Sequence, residues 1–225
     1  MSSVELAASV ISRELPDAYS VIEFGVGSHF HPSPTVLGDI RGVRNPHWTF
    51  DGARSYTACD NGTIGPDNGY LGTPQEYRDE SQRRFAEFAS GITTKRRGEN
   101  IRLVFSSAQD LDVAPGNEVL AFNVLSSGIT PEAIDSILAR AKTLLVVGGL
   151  LVVRETFTPH LHPHGELVKR LDRIGFEQAE VVSPSNPLFE DLTAYYGPTV
   201  HDVEIASAGI RPKTNRYFCL ALRPE

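Results

Sequence analysis

Two glycines one residue apart, Gly25 and Gly27, close the apolar run VIEF at residues 21–24, and two histidines, His29 and His31, follow directly. A second set, His160, His162 and His164, alternates through TPHLHPHGE. Glycines at the end of an apolar segment let the backbone come close to a bound molecule, because no Cβ stands in the way. Histidine titrates near neutral pH and can take a proton from an oxygen or nitrogen. His29, His31 and His162 are therefore the candidate bases. Alternate residues of an extended segment point to one side, so His-x-His-x-His also has the geometry of a ligand set. No acid or thiol completes a recognised metal spacing, and no metal is expected. The plain alternative is that these histidines are polar residues of solvated loops. A third glycine at position 30 would complete the dinucleotide fingerprint, but Phe30 stands there, which ranks a nicotinamide oxidoreductase low.

The elements that must position these groups alternate between segments rich in Val, Ile, Leu and Phe and amphipathic stretches, the signature of a mostly parallel sheet covered by helices on both faces. A helix at about Val4–Glu14 precedes the strand SVIEF, and SYTACD is a second strand. TPQEYRDESQRRFAEFAS sets Tyr77, Phe85 and Phe88 at helical spacings, with Thr73 as cap and Pro74 at the first helical position. Strands IRLVFS and EVLAFNVL follow, then the helix TPEAIDSILARAKTLL, the strand GGLLVVRET, the helix HGELVKRLDRIGF and the strands EQAEVV and RYFCLALR. The reading is an α/β, doubly wound, seven-stranded sheet.

The chain of 225 residues suits one domain: residues 1–225, with a short amino-terminal helix at about 1–18 and a loop-rich insertion at about 28–59. A net charge of -7 opposes a phosphate-backbone partner, so no nucleic acid is expected. The one basic cluster, Lys95, Arg96 and Arg97, reads as a solvated loop. No apolar run approaches the roughly 18 to 20 residues that span a bilayer, and the first residues read as an amphipathic helix rather than a secretion signal. A cytoplasmic protein is the default expectation. Cys59 and Cys219 lie in strand-like segments without a CxxC pair and read as buried free thiols.

Three stretches carry a specific resemblance: VIEFGVG at the start, NVLSSGITPEAIDSILARAKTLLVVGGLLVVRETF in the middle and HGELVKRLDRIGFEQAEVV toward the end. In this order the chain resembles the class I S-adenosylmethionine-dependent methyltransferases, over about its whole length. Ligands of open α/β sheets bind beyond the carboxyl ends of the strands, so the loops after each strand should line one crevice. The resemblance implies S-adenosylmethionine as cofactor, with the turn at Gly25 and Gly27 against its amino-acid part. Glu23 suits a ligand that carries an ammonium and a sulfonium. It also implies an acid at the end of the second strand for the ribose hydroxyls, which is Asp60, with Asp51 as rival. Where many members carry an aspartate and alanine beside the adenine, this chain has Ser107, Ala108 and Gln109, and adenine recognition then passes to Gln109 or the backbone. Asn123 to Ser126 should floor the pocket near the sulfonium. Asn123 either orients a reacting group there or simply ends its strand. His160, His164, Tyr195 and Tyr196 are the expected substrate-lining residues, although the tyrosines could equally be core or surface aromatics.

The implied activity is O- or N-methylation of a small molecule. Two alternatives stay open: other chemistry of the same cofactor, such as aminocarboxypropyl transfer or cyclisation, and a methyltransferase-like binding or assembly protein without turnover. The short amino-terminal cap leaves substrate selection to the 28–59, 60–73 and 183–212 regions, and a second subunit could close the crevice as a homodimer.

Overall fold

Buried strands demand that each backbone donor and acceptor be paired, and here seven of them are paired in one sheet. The computed structural model describes residues 1–11, 19–25, 55–62, 73–93, 100–122, 124–125, 129–156, 164–196 and 216–224. In chain order these form α1 (Ser3–Ile11), β1 (Ser20–Phe24), β2 (Ser55–Asp60), α2 (Pro74–Thr93), β3 (Asn100–Phe105) and β4 (Gly116–Phe122). There follow α3 (Pro131–Thr143), β5 (Leu145–Thr156), α4 (His164–Ile174), β6 (Glu177–Val182), α5 (Leu188–Tyr196) and β7 (Arg216–Leu222). The strand order is β3-β2-β1-β4-β5-β7-β6. The pairs from β3 to β5 are parallel, and β7 runs antiparallel to both β5 and β6. The order reverses between β1 and β4, which is where an open α/β sheet binds its ligand.

Alternation along each strand divides the core in two. Ile22 and Phe24, Val119 and Ala121, and Leu151 and Val153 face α3 and α4, meeting Ile134, Leu138, Leu167 and Leu171. Val21, Tyr56, Leu120, Val152 and Phe218 face the other way, meeting Ala7 of α1, Phe85 of α2 and Leu192 and Tyr196 of α5. The helices start where capping chemistry allows. Thr73 Oγ1 accepts from Glu76 N while the Glu76 carboxylate takes Thr73 N at 2.6 Å, and Thr130 Oγ1 accepts from Ala133 N.

Three elements differ from the sequence reading. The helix read through Leu145 ends at Thr143, and β5 begins at Leu145, before the glycine pair. An added Cβ on Gly149 would stand 2.8 Å from Val146 O and 3.0 Å from Asn117 O, whereas Gly148 has open space and takes φ +73°. α5 was not read from the sequence. It starts after SPSNP, where Asn186 Oδ1 accepts from Leu188 N, and it buries Leu192 and Tyr196 four residues apart.

Candidate functional site

The carboxyl ends of β1 and β2 meet at Gly25 and Asp60. In their parallel ladder Phe24 is opposite Cys59, and Gly25 N donates to Cys59 O at 2.8 Å, so the pairing runs into the turn. Gly25 has φ +69°, and a Cβ there would stand 2.7 Å from Val124 Cγ2 in the segment after β4. Both the backbone conformation and the space require glycine.

Asp60 ends β2 with 7% of its surface exposed. Its Oδ1 accepts from Gly62 N at 2.7 Å, in a turn where Gly62 takes φ +63°. Its carbonyl accepts from Ser106 N at 2.8 Å, which ties the end of β2 to the end of β3. From α2, Arg78 Nε donates to Gly62 O at 3.3 Å. Burial raises the Tyr77 phenol well above its usual range, and the Asp60 charge adds to that. Asp60 is therefore an almost buried carboxyl group at the strand end.

Glu23 lies two residues below Gly25, on the face toward α1, α2 and α5, and is buried. Its Oε2 accepts from the Tyr56 hydroxyl at 2.6 Å. Ser107, Ala108 and Gln109 form the turn after β3, partly buried, with Ala108 packed against the core. The Ser107 hydroxyl donates to Asp110 Oδ2 at 2.5 Å, and Asp110 N returns a bond to Ser107 O at 3.1 Å. The carboxylate that the Ser107 hydroxyl meets is thus Asp110, three residues further on and exposed. The S-x-x-D spacing, a local turn signal, was the sign of it.

Two residues of β5 that the motif reading passed over complete the strand ends. Glu155 is fully buried, and its Oε1 accepts from Leu125 N at 2.7 Å. It ties the end of β5 to Leu125. Arg154 points to the opposite face, 3% exposed, with Cζ 4.3 Å from the centroid of the Phe122 ring. Both residues lie in LLVVRET, where a charged pair ends a run of buried aliphatics.

Tyr196 takes a core position. Its ring packs edge-on against Phe122 at 5.5 Å between centroids, and its hydroxyl donates to Glu118 Oε1. Tyr19 donates to the other Glu118 oxygen at 3.2 Å. Burial pushes the Glu118 carboxyl up to about 7, against the pull of the two hydroxyl bonds, and the nearby Glu23 charge adds to the rise. His29, His31, His160, His162, Gly27 and Asn123 lie outside the described residues, as do the side chains of His164 and Tyr195. Among the described residues no three His, Cys, Asp or Glu side chains are grouped to hold a metal ion, and no helix is long and apolar enough to cross a membrane. Cys59 and Cys219 are free and buried. Burial, aided by the Asp60 charge, pushes the Cys59 thiol up to about 12.

No protein-family model matches the chain, and a search of curated proteins finds no match. Solved structures match it along almost its whole length. The N-methyltransferase NodS from Bradyrhizobium japonicum WM9 is 12% identical, with a TM-score of 0.52 over 98% of this chain and 96% of that one. The [4+2]-cyclase SpnF is 18% identical, with a TM-score of 0.51 over 98% of this chain and 80% of that one. Phosphoethanolamine N-methyltransferase 2 of Haemonchus contortus, solved with S-adenosyl-L-methionine, is 13% identical, with a TM-score of 0.51 over 98% of this chain and 53% of that one. At these identities the likeness is one of fold: the chain has the Rossmann-like fold of class I methyltransferases.

Proposed function

We propose that the chain is an S-adenosylmethionine-dependent methyltransferase that acts at an oxygen or nitrogen of a small molecule. The observation that carries this reading is the pairing of Gly25 and Asp60 on adjacent strand ends, at the point where the strand order reverses. A left-handed glycine turn gives close backbone approach, and a buried carboxylate one strand away suits two vicinal hydroxyls. The residues present fit the cofactor: Gly25 and Gly27 for its amino-acid part, Asp60 for the ribose, and Ser107, Ala108 and Gln109 beside the adenine. Fold likeness to NodS supports the same reading.

When bound, S-adenosylmethionine supplies a methyl group on a sulfonium that is already a good leaving group. What remains for the protein is alignment in a crevice that excludes water. Glu155 contributes by holding Leu125 in place. Proton removal from the acceptor falls to a histidine, with His29, His31 and His162 as candidates, and His160, His164 and Tyr195 line the acceptor side. The acceptor is a small molecule, and a second copy of the chain is the candidate cover for the crevice. A monomeric active species in sedimentation would remove the homodimer from this reading.

Calorimetric titration with S-adenosylmethionine and S-adenosylhomocysteine, on the wild type and on Asp60→Ala, tests the proposal. Saturable binding that the substitution weakens by about tenfold or more supports it, as loss of a charge-assisted hydrogen bond would. Absence of binding to folded wild type refutes it and leaves a binding or assembly protein on a methyltransferase fold. The likeness to SpnF favours one second reading, other chemistry on the same fold. Attack at a different carbon of the cofactor, in aminocarboxypropyl transfer or in cyclisation of the cofactor's own chain, releases methylthioadenosine instead of S-adenosylhomocysteine, so chromatography of the spent nucleoside separates this reading from methyl transfer.

A further inference from the structure

The turn that carries Asp60 is held from outside its own strand. Gly62 N donates to Asp60 Oδ1 at 2.7 Å, so the orientation of the carboxyl group follows the position of Gly62. Gly62 is buried and takes φ +63°. A Cβ added there would stand 2.6 Å from Arg78 Nε and 3.2 Å from Phe105 Cδ1, so the residue is clasped between α2 and the end of β3. Arg78 Nε also donates to Gly62 O at 3.3 Å. Gly62 thus turns its N–H toward Asp60 and its carbonyl toward Arg78.

The start of α2 puts Arg78 there. Thr73 and Glu76 exchange cap bonds and Tyr77 N donates to Thr73 O at 3.0 Å, which sets the first turn of the helix. Tyr77 is buried in the core, and Arg78, next along the helix, stays half-buried against the Asp60 turn. One side chain anchors the helix while the other holds Gly62. Two hydroxyls of a ribose are bound best by a carboxyl group whose orientation is set before they arrive, because ordering it on binding costs affinity. We infer that Arg78 is a positioning residue of the ribose site: by holding Gly62 it orients the Asp60 carboxyl group toward both hydroxyls, without itself touching the ligand. The inference deepens the methyltransferase reading and rests on it for Asp60 as the ribose acceptor.

The test titrates the full chain by calorimetry with S-adenosylhomocysteine, adenosine and dideoxyadenosine, which lacks both ribose hydroxyls. The wild type is expected to prefer adenosine over dideoxyadenosine by about tenfold or more, the worth of one or two hydrogen bonds. Asp60→Ala should abolish that preference. Arg78→Ala, which a half-buried helical position accommodates, should cut the preference by about threefold or more. Added to Asp60→Ala it should weaken adenosine no further, since residues that act through one another are not additive. A merely structural role would weaken both nucleosides alike and leave their ratio in place. Arg78→Gln sets an amide N–H near the place of Nε and should restore most of the preference. A preference that survives Arg78→Ala, a further loss of adenosine affinity in the double variant, or no recovery in Arg78→Gln overturns the assignment. A wild type that binds S-adenosylhomocysteine without preferring adenosine overturns the Arg78 role and leaves the cofactor reading standing, whereas a folded wild type that binds none of the three ends both.

Discussion

Replacing Glu118 by glutamine should remove a pH dependence of stability that the fold builds into the middle of its sheet. Glu118 is 2% exposed and accepts hydroxyls from Tyr19 and Tyr196, so α5 and the residue before β1 are both fastened to it. Burial moves its pKa from 4.5 up to about 7. The folded state therefore holds the proton more tightly than the unfolded chain, which at 1.36 kcal/mol per pH unit amounts to about 3 kcal/mol. The sign follows from which state ionises first. Below pH 4.5 both states are protonated and the contribution is fully present. Between 4.5 and about 7 the unfolded chain gives up its proton while the folded one keeps it, and stability falls. Above about 7 both are ionised and the loss is complete. Urea unfolding at pH 5, 6, 7 and 8, compared between wild type and Glu118→Gln, isolates this group from the other titrating residues. The difference in unfolding free energy should shift in favour of the glutamine variant across this range, by up to about 3 kcal/mol. Tyr196→Phe removes a bond that holds the pKa down, so it should move the pH at which stability is lost upward. A difference between wild type and Glu118→Gln that stays constant from pH 5 to 8 would refute the reasoning.

The strand ends give further expectations. Gly25→Ala forces a side chain into left-handed backbone, which costs about 1 to 2 kcal/mol, and drives its Cβ against Val124. Val124→Ala added to it should recover the steric part of the loss but not the backbone part, as judged by chemical denaturation. Glu155→Ala leaves Leu125 N without its acceptor and should lower stability by about 1.5 to 3 kcal/mol. Glu155→Gln keeps an oxygen in place and should lose less, and equal losses would show that the charge rather than the bond matters. Cys59 and Cys219, both buried with thiol pKa pushed up to about 12, should resist a thiol-specific reagent at pH 8 in the native state and react on unfolding. Prompt native-state labelling would contradict their burial.

How much of this was legible in the sequence depended on which forces were local. Strand β2 could be placed residue by residue because SYTACD is a continuous buried run that ends in an acid, and a parallel strand buried on both faces has to look like that. Thr73 and Thr130, each followed by proline, announced their helices because capping is decided within four residues. α5 went unread because its start depends on one Asn186 side chain among prolines and serines, and its apolar residues pack only against a sheet assembled from distant segments. Strand β5 was read from Gly148, but it already begins at Leu145, because only the full sheet brings Val146 O and Asn117 O against Gly149. The same contrast runs through the site. Gly25 and Asp60 were found because each punctuates its own strand. Glu155 and Arg154 were not, because their roles are set by Leu125, thirty residues earlier, and by rings on two other strands. Charged residues at the end of a hydrophobic strand look in sequence like the place where it meets water. Their near-complete burial here shows instead that the strand is still inside the protein where its charged residues begin.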